Sequence, residues 1–437
     1  MALNFPAVDT LVIGAGASGL AAAADLAVAG QTVCILEARA RVGGRIFTLH
    51  EPDMPIPVEL GAEFIHGRAK ATLSWLARSN TAVIDTLRSR WVLENGQLRE
   101  SNRLFAEMKR GLAAARRPRK DIPFGEFLDG PARSTLSPRA RESARSLVEG
   151  FDAADATRVS TFATLDEWSN DGSVDSPTFR PWGGYSVLIK TILGALDPER
   201  VQIRLNSVVS EIRWQRGSVT VHGTQRGQPF TSRAKRAVIS LPLGVLQASR
   251  VTGAVTFVPE LTQKRAAFEG LASGSAMKVV LRFGRPFWEE IDGGRYYNAS
   301  FFHAPSAVFP TVWSTLPVRT PLLTAWVGGP KAARLSGSSE EEIVQQALTS
   351  LDAMFGKRAN ARCHLQGAYV HDWQADPFAR GAYSYVVAGG SGARKALSRP
   401  VQGTLFFAGE AADVAGQGAT VAGALQSGAR AAKQVLD

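Results

Sequence analysis

Three sets of residues in this 437-residue chain have types and spacings that could do chemistry. Gly14, Gly16 and Gly19 stand in G-x-G-x-x-G spacing within "DTLVIGAGASGLAAAADLAVAGQTVCILEA", a run that reaches Glu37. The first glycine permits a tight turn, the second lets backbone amides approach a pyrophosphate, and the third lets a helix pack closely on a strand. The amides around Gly16, Ala17 and Ser18 then sit at a helix N-terminus, which favours negative charge. Glu37, followed by Ala38, falls where an acid accepts hydrogen bonds from a ribose diol, and its charge argues against a 2′-phosphate. This pattern reads as a dinucleotide site and does not separate NAD from FAD. Lys278 opens an apolar alternating stretch, "SGSAMKVVLRFGRPFW"; a lysine there usually guards a sheet edge or snorkels to water. Finally, "DPFARGAYSY" sets Tyr383 and Tyr385 two apart behind Gly381 and Ala382. Period-two spacing predicts both rings on one strand face, with a bare backbone before them.

The residues after Glu37 narrow the cofactor. "EARARVGGRIFT" adds a second glycine pair, Gly43 and Gly44, between Arg39 and Arg45, giving another close backbone approach and cations for a pyrophosphate. With this E-x-R-x-R-x-G-G-R run the chain resembles the flavin-containing amine oxidase superfamily, and the resemblance extends over nearly its whole length. It implies FAD. In "VELGAEFIHG", Gly61, Ala62 and Glu63 correspond to a stretch that passes along the flavin, and His66 resembles a substrate-tunnel histidine of the polyamine oxidase branch. Val208 matches a segment whose backbone contacts adenine. Gly409, Glu410, Thr420 and Val421 belong to a closing Gly-rich signature that leads a second helix N-terminus to the cofactor. Lys278 matches a lysine that holds a water beside flavin N5 and assists reaction with oxygen. Tyr383 would form one wall of an aromatic cage for the amine, Gly381 and Ala382 would lie bare against the flavin, and Trp373 would stand near it or in the core.

Two departures from monoamine oxidases refine the resemblance. Ala382 stands where those enzymes carry the cysteine bonded to flavin, so FAD is expected to be non-covalent. Gly418, Ala419 and Thr420 occupy the region of their second cage tyrosine, which leaves Thr420 to face substrate. The chain thus lies closest to the polyamine oxidase-like and demethylase branches, without room for the demethylase's helical insertion, so a chromatin role is not expected. The implied reaction is hydride transfer from the carbon beside an amine to flavin N5, giving imine, then aldehyde, and hydrogen peroxide from oxygen. A secondary amine or polyamine is the expected substrate, with Glu63 and Asp376 as candidates either to hold a distal ammonium or to cap a turn or pair with an arginine. An L-amino-acid oxidase, which needs an arginine for the substrate carboxylate, and a flavin-binding regulatory protein without turnover are the alternatives.

To position these residues the chain needs an α/β fold: a doubly wound, Rossmann-like FAD domain with an interleaved α+β substrate domain. The expected division gives residues 1–70, 200–255 and 395–437 to FAD and 71–199 and 256–394 to substrate. The net charge of +11 could suggest nucleic acid, but the densest basic run, "KRGLAAARRPRK" from Lys109 to Lys120, has no interleaved aromatic residue and reads as a solvated helix end and loop. No nucleic-acid or membrane partner is expected, nor a metal; a homodimer is left open. Two cysteines argue against a disulfide framework. With no apolar run near a membrane span and no secretory leader pattern, the expected compartment is the cytoplasm.

Overall fold

The computed structural model describes residues 3–86, 89–100, 103–169 and 176–437. Its first sheet is built on the glycine-rich run. The strand Val8–Ile13 lies between Val33–Leu36 and the end of the long strand Gln228–Ile239, all parallel. Val201–Arg204 extends the parallel run on one side and Leu405–Phe407 on the other. Leu11, Val12, Val33 and Ile35 are wholly enclosed, because a parallel sheet is covered on both faces and its strands read as unbroken apolar runs. Beyond this, Ser207–Gln215, Ser218–Gln225 and the start of Gln228–Ile239 form an antiparallel meander, which Thr256–Val258 closes.

Helix Ala17–Val28 covers one face of this sheet, and the C-terminal helix Val421–Leu436 packs against it. Small residues set that distance. A Cβ on Gly428 would lie 2.2 Å from the Ser18 carbonyl oxygen. The other face is covered by Leu243, Val255, Leu397 and Val401, among others. The result is a doubly wound α/β domain.

The second sheet follows the order Leu365–Asp372, Ala276–Phe283, Leu322–Gly328, Thr311–Ser314, Phe301–His303, Arg90–Glu94, Gln97–Glu100. Alternation decides where Lys278 points. Met277, Val279, Leu281 and Phe283 pack into the core under helix Glu340–Phe355, whose first turn is fixed by a Ser339–Glu342 capping box. Lys278 and Val280 therefore face the opposite side, where Val280 meets Val58 and Leu60. The lysine is central in its sheet, flanked by strands on both sides, so it guards no edge. Helices Phe124–Asp129, Pro138–Gly150 and Thr161–Ser169 form a separate apolar cluster that also takes in Tyr385.

The expected division of the chain cuts through packed elements. Helices Lys70–Arg78 and Ser186–Gly194 contribute Leu76, Leu188 and Ile192 to the core of the first sheet. Thr256–Val258 also pairs with that sheet. The basic run behaves as a solvated surface: Lys109, Arg110, Arg116, Arg119 and Lys120 are exposed, and Arg117 pairs with Asp166. Cys34 is buried and Cys363 exposed, each with a free thiol.

Gly428→Ala should destabilise the fold by roughly 1–3 kcal/mol through overpacking against helix Ala17–Val28. Gly194→Ala, whose Cβ would meet nothing within 4 Å, should be neutral or gain about 0.5–1 kcal/mol as a helical glycine replaced by alanine. Equilibrium denaturation of the two variants checks the contrast.

Candidate active site

A cavity of about 920 Å³ runs from the carboxyl ends of the parallel strands to the second sheet and the helical layer. Its first end is the glycine-rich turn. Gly14 adopts φ +105°, and Gly16 precedes helix Ala17–Val28 with no side chain capping that helix. A Cβ on Gly16 would meet nothing within 4 Å, so the turn presents open backbone to the cavity. Gly43 and Gly44 fold back over it: the Gly43 amide donates to the Ala15 carbonyl at 2.8 Å, and a Cβ on Gly44 would stand 3.3 Å from the Gly16 Cα. Glu37 accepts from the Ala15 amide at 2.7 Å and the Arg39 amide at 2.9 Å, one on each carboxylate oxygen. Each oxygen keeps a lone pair for a diol. Ala17, Ser18, Ala38, Arg39 and Val208 complete this end.

Gly19 does not reach the cavity. Its Cβ would lie 2.0 Å from the Gly14 carbonyl oxygen, so it supports the turn from beneath. Gly381 is also a correction. It too lies off the cavity wall, and a Cβ there would be 2.1 Å from Ser273 Oγ at φ +132°. Contact with the neighbouring strand Leu271–Ser273 requires its bareness, rather than a flavin. Ala382 does line the cavity, and its carbonyl accepts from Arg45 at 2.6 Å.

Two buried ion clusters flank the middle of the cavity. Glu410 bonds Arg45 at 3.0 Å and the Ser384 hydroxyl at 2.6 Å, with Arg394 at 3.9 Å. Burial alone would raise its carboxyl, but Arg45 and Arg394 outweigh that and hold it below the usual range. Gly409, beside it, donates its amide to Ser427 Oγ. In the second cluster Lys278 Nζ lies 2.6 Å from Glu63 Oε2 and 3.3 Å from the Gly61 carbonyl. The other Glu63 oxygen accepts from Arg180 at 2.9 Å and from Trp313 Nε1 at 3.0 Å. Against the burial penalty, these two cations hold the Glu63 carboxyl low as well. Glu63 is therefore paired with an arginine, the second of the roles considered for it, and its oxygens are taken up by Lys278, Arg180 and Trp313. Asp376 is similarly paired, with Arg39 at 2.6 Å and His371 at 3.2 Å. Gly61 and Ala62 lie on the wall; a Cβ on Gly61 would come 2.0 Å from the Arg45 carbonyl oxygen, so chain crossing already demands a glycine there.

The far end is aromatic and acidic. Tyr383 lines it, its hydroxyl donating to the Phe151 carbonyl at 2.5 Å. Tyr383 precedes the strand Ser384–Val386, whereas Tyr385 reaches the helical cluster. Trp373 is buried, donates to the Leu60 carbonyl at 3.0 Å and borders the cavity. His66 stands between Phe64 and Phe151, with centroid separations of 6.0 and 5.5 Å. Among the described residues neither ring nitrogen has a hydrogen-bond partner in the protein, and burial lowers its pKa to about 4. Thr420 borders the cavity, but its hydroxyl caps helix Val421–Leu436, accepting from the Gly423 amide and donating to the Gln417 carbonyl. It is thus first a cap, with its donor spent and one lone pair left toward the cavity; Val421 follows on the same wall.

The sequence reading missed a pair of acids here, Asp152 and Glu167, both on the cavity wall. Burial and then the charge of Glu167 push the Asp152 carboxyl well above its usual range, against a 3.1 Å bond from Trp168. Burial likewise raises Glu167, opposed by Arg394. No motif marks these acids, because one follows helix Pro138–Gly150 and the other lies in helix Thr161–Ser169, and only tertiary packing joins them. Arg180, Trp313 and Arg394 were missed for the same reason. Among the described residues no group of His, Cys, Asp and Glu could hold a metal, and no helix is long and apolar enough to cross a membrane.

These features fit FAD: an open glycine turn at an uncapped helix start, a buried ribose-type acid, and a continuous cavity large enough for a cofactor. Residues 124–436 match the family described as flavin containing amine oxidoreductase, and residues 12–78 match an NAD(P)-binding Rossmann-like domain. The chain belongs to the flavin containing amine oxidoreductase family. Over 98% of its length it is 29% identical to lysine-specific histone demethylase 1 homolog 3 of Arabidopsis thaliana, covering 30% of that protein. It is 27% identical to human lysine-specific histone demethylase 2, covering 53% of it, and 27% identical to polyamine oxidase 4 of Oryza sativa subsp. japonica, covering 88%. The chain thus spans about half or less of the length of these demethylases. Among solved structures, putrescine oxidase bound to putrescine superimposes with a TM-score of 0.80 at 23% identity, with 99% of each chain covered. Cyclohexylamine oxidase from Brevibacterium oxydans gives 0.78 at 21%, covering 98% and 99%. Both share the fold.

Because the Glu410 carboxyl is held below its ordinary 4.5 in the folded chain, its charge stabilises the fold above that pH, and the contribution is lost as pH falls below it. Glu410→Gln should cost roughly 1–3 kcal/mol at pH 7 by leaving the half-buried Arg45 and Arg394 without a counter-charge. The loss should shrink towards pH 3, as denaturation midpoints across that range would register.

Proposed function

We propose that this chain is an FAD-dependent amine oxidase whose substrate carries a second cationic nitrogen, a diamine or polyamine. The observation that carries the reading is the far end of the cavity, where an aromatic wall adjoins two carboxyl groups that repel each other and lack a full counter-charge. A cation placed there relieves the repulsion and lets both acids ionise. It also supplies the local attraction that a chain of net charge +11 otherwise denies a cationic ligand.

When bound, FAD would supply the redox chemistry, hydride acceptance from the carbon beside the amine nitrogen and return of the electrons to oxygen as hydrogen peroxide. The chain's own residues bind and orient. Tyr383, its hydroxyl fixed on the Phe151 carbonyl, presents a ring to the amine. His66, neutral at physiological pH because burial disfavours its charge, offers a hydrogen-bonding nitrogen without repelling a cation. Lys278, held by Glu63 and the Gly61 carbonyl, contributes positive charge and a donor beside the oxygen chemistry. Non-covalent FAD follows from alanine at position 382. An L-amino-acid oxidase is less well supported, because Arg39, Arg45, Arg180 and Arg394 already bind the protein's own carboxylates or carbonyls.

Protein purified from riboflavin-replete cells should be yellow, and a peroxide-coupled screen should rank diamines and polyamines above aromatic monoamines and above leucine. Asp152→Asn and Glu167→Gln should each raise KM for a diamine at least about tenfold, the scale of one lost charged contact. Their kcat for a monoamine should stay within about threefold. Colourless protein that cannot be reconstituted with FAD, or leucine as the best reductant, would overturn the reading.

A further inference from the structure

Lys278 is only 2% exposed, yet it stands in a crowd of charge. Two cations, Lys278 and Arg180, share the one carboxylate of Glu63, with Trp313 donating a further hydrogen bond to it. Arg180 is itself anchored on the Leu316 and Ser314 carbonyls at 2.9 and 3.2 Å and lies over the Phe64 ring. Glu63 is thus held by two donors, Arg180 and Trp313, besides the lysine. An ammonium has three donors. Two of those on Lys278 go to Glu63 and the Gly61 carbonyl, which leaves the third for the cavity it borders. The indole of Trp313, with its centroid 5.5 Å from Nζ, adds a face that favours a cation.

We propose that Glu63 is a positioning residue, which fixes Lys278 as a permanent, oriented ammonium at the cavity wall, so that the lysine acts by charge and hydrogen bonding and does not exchange its proton. The inference rests on the reading above, in which FAD occupies the cavity and oxygen is reduced beside Lys278. A buried lysine without a carboxylate loses its proton readily; one locked to a buried carboxylate keeps it, and offers the same positive field to an acceptor gaining negative charge at any working pH. Other groups face this lysine. Glu59, in the strand Val58–Glu59, is buried and accepts from the Tyr185 amide and the Thr48 hydroxyl; burial raises its pKa to about 7. His371 is the register partner of Lys278 on the adjacent strand and pairs with Asp376. Both remain in every variant below; because Lys278 lowers and Glu63 raises the Glu59 carboxyl, its step moves between variants, and the added step is identified as the one that the double variant lacks.

The test compares wild type, Lys278→Met, Glu63→Gln, the double variant and Glu63→Asp, each loaded with FAD. Two readouts are followed from pH 6 to 10: the midpoint potential of the bound flavin, and the rate at which oxygen reoxidises the reduced enzyme. Wild type and Lys278→Met should show the same number of pH steps, although Lys278→Met is slower with oxygen throughout. Glu63→Gln leaves two buried cations without a counter-ion and should gain one step in both readouts, with reoxidation slowed about tenfold on its alkaline side. The double variant should lose that added step, and Glu63→Asp should keep the wild-type profile. Merely structural damage would lower stability and FAD retention without adding a step that Lys278→Met removes. If Glu63→Gln does not hold FAD, the wild-type and Lys278→Met pair decides alone. A wild-type step that vanishes in Lys278→Met, or no added step in a FAD-loaded Glu63→Gln, overturns the inference while leaving the functional reading intact. Failure of the wild type to bind FAD removes the functional reading itself.

Discussion

Charge taken out of water must be matched within a few ångströms, and this structure is organised around that requirement. Glu410 draws together Arg45 from the second glycine run, Arg394 from helix Ala393–Ser398 and Ser384 from a strand. Glu63 does the same for Lys278, Arg180 and Trp313. In both cases distant stretches of chain meet on one carboxylate, and removing that carboxylate would leave stranded cations rather than a harmless gap. The cavity passes between these two clusters, so its middle is bounded by charge that long-range contacts hold in place.

The local physics of the N-terminal run made it legible in sequence. Each glycine answers a steric demand: Gly14 at positive φ, Gly16 with open space, Gly19 against a carbonyl. The same reasoning failed at Gly381, where bareness was assigned to a flavin but belongs to Ser273. A missing side chain announces that something comes close, without naming it. Thr420 shows a related ambiguity. A threonine before a helix is first a cap, and once its hydroxyl is spent on Gly423 and Gln417 it has little left for a ligand.

Long-range electrostatics stayed out of reach of pattern reading. That Glu63 and Asp376 could pair with an arginine was readable, but not which one: Arg180 and Arg39 lie 117 and 337 positions away. Conversely, Asp152 and Glu167 carry no motif, and their importance comes only from facing a shared cavity. Alternation in the strand Ala276–Phe283 was readable and did place Lys278 opposite the core; what awaited it there was not.

The bond from the Tyr383 hydroxyl to the Phe151 backbone has a consequence for selectivity. A phenol tethered at its tip cannot swing aside, so that wall behaves as a rigid gauge rather than a flap. Slender, unbranched molecules would slide past such a gauge, whereas bulk close to the reacting nitrogen would meet an aromatic plate that has nowhere to retreat.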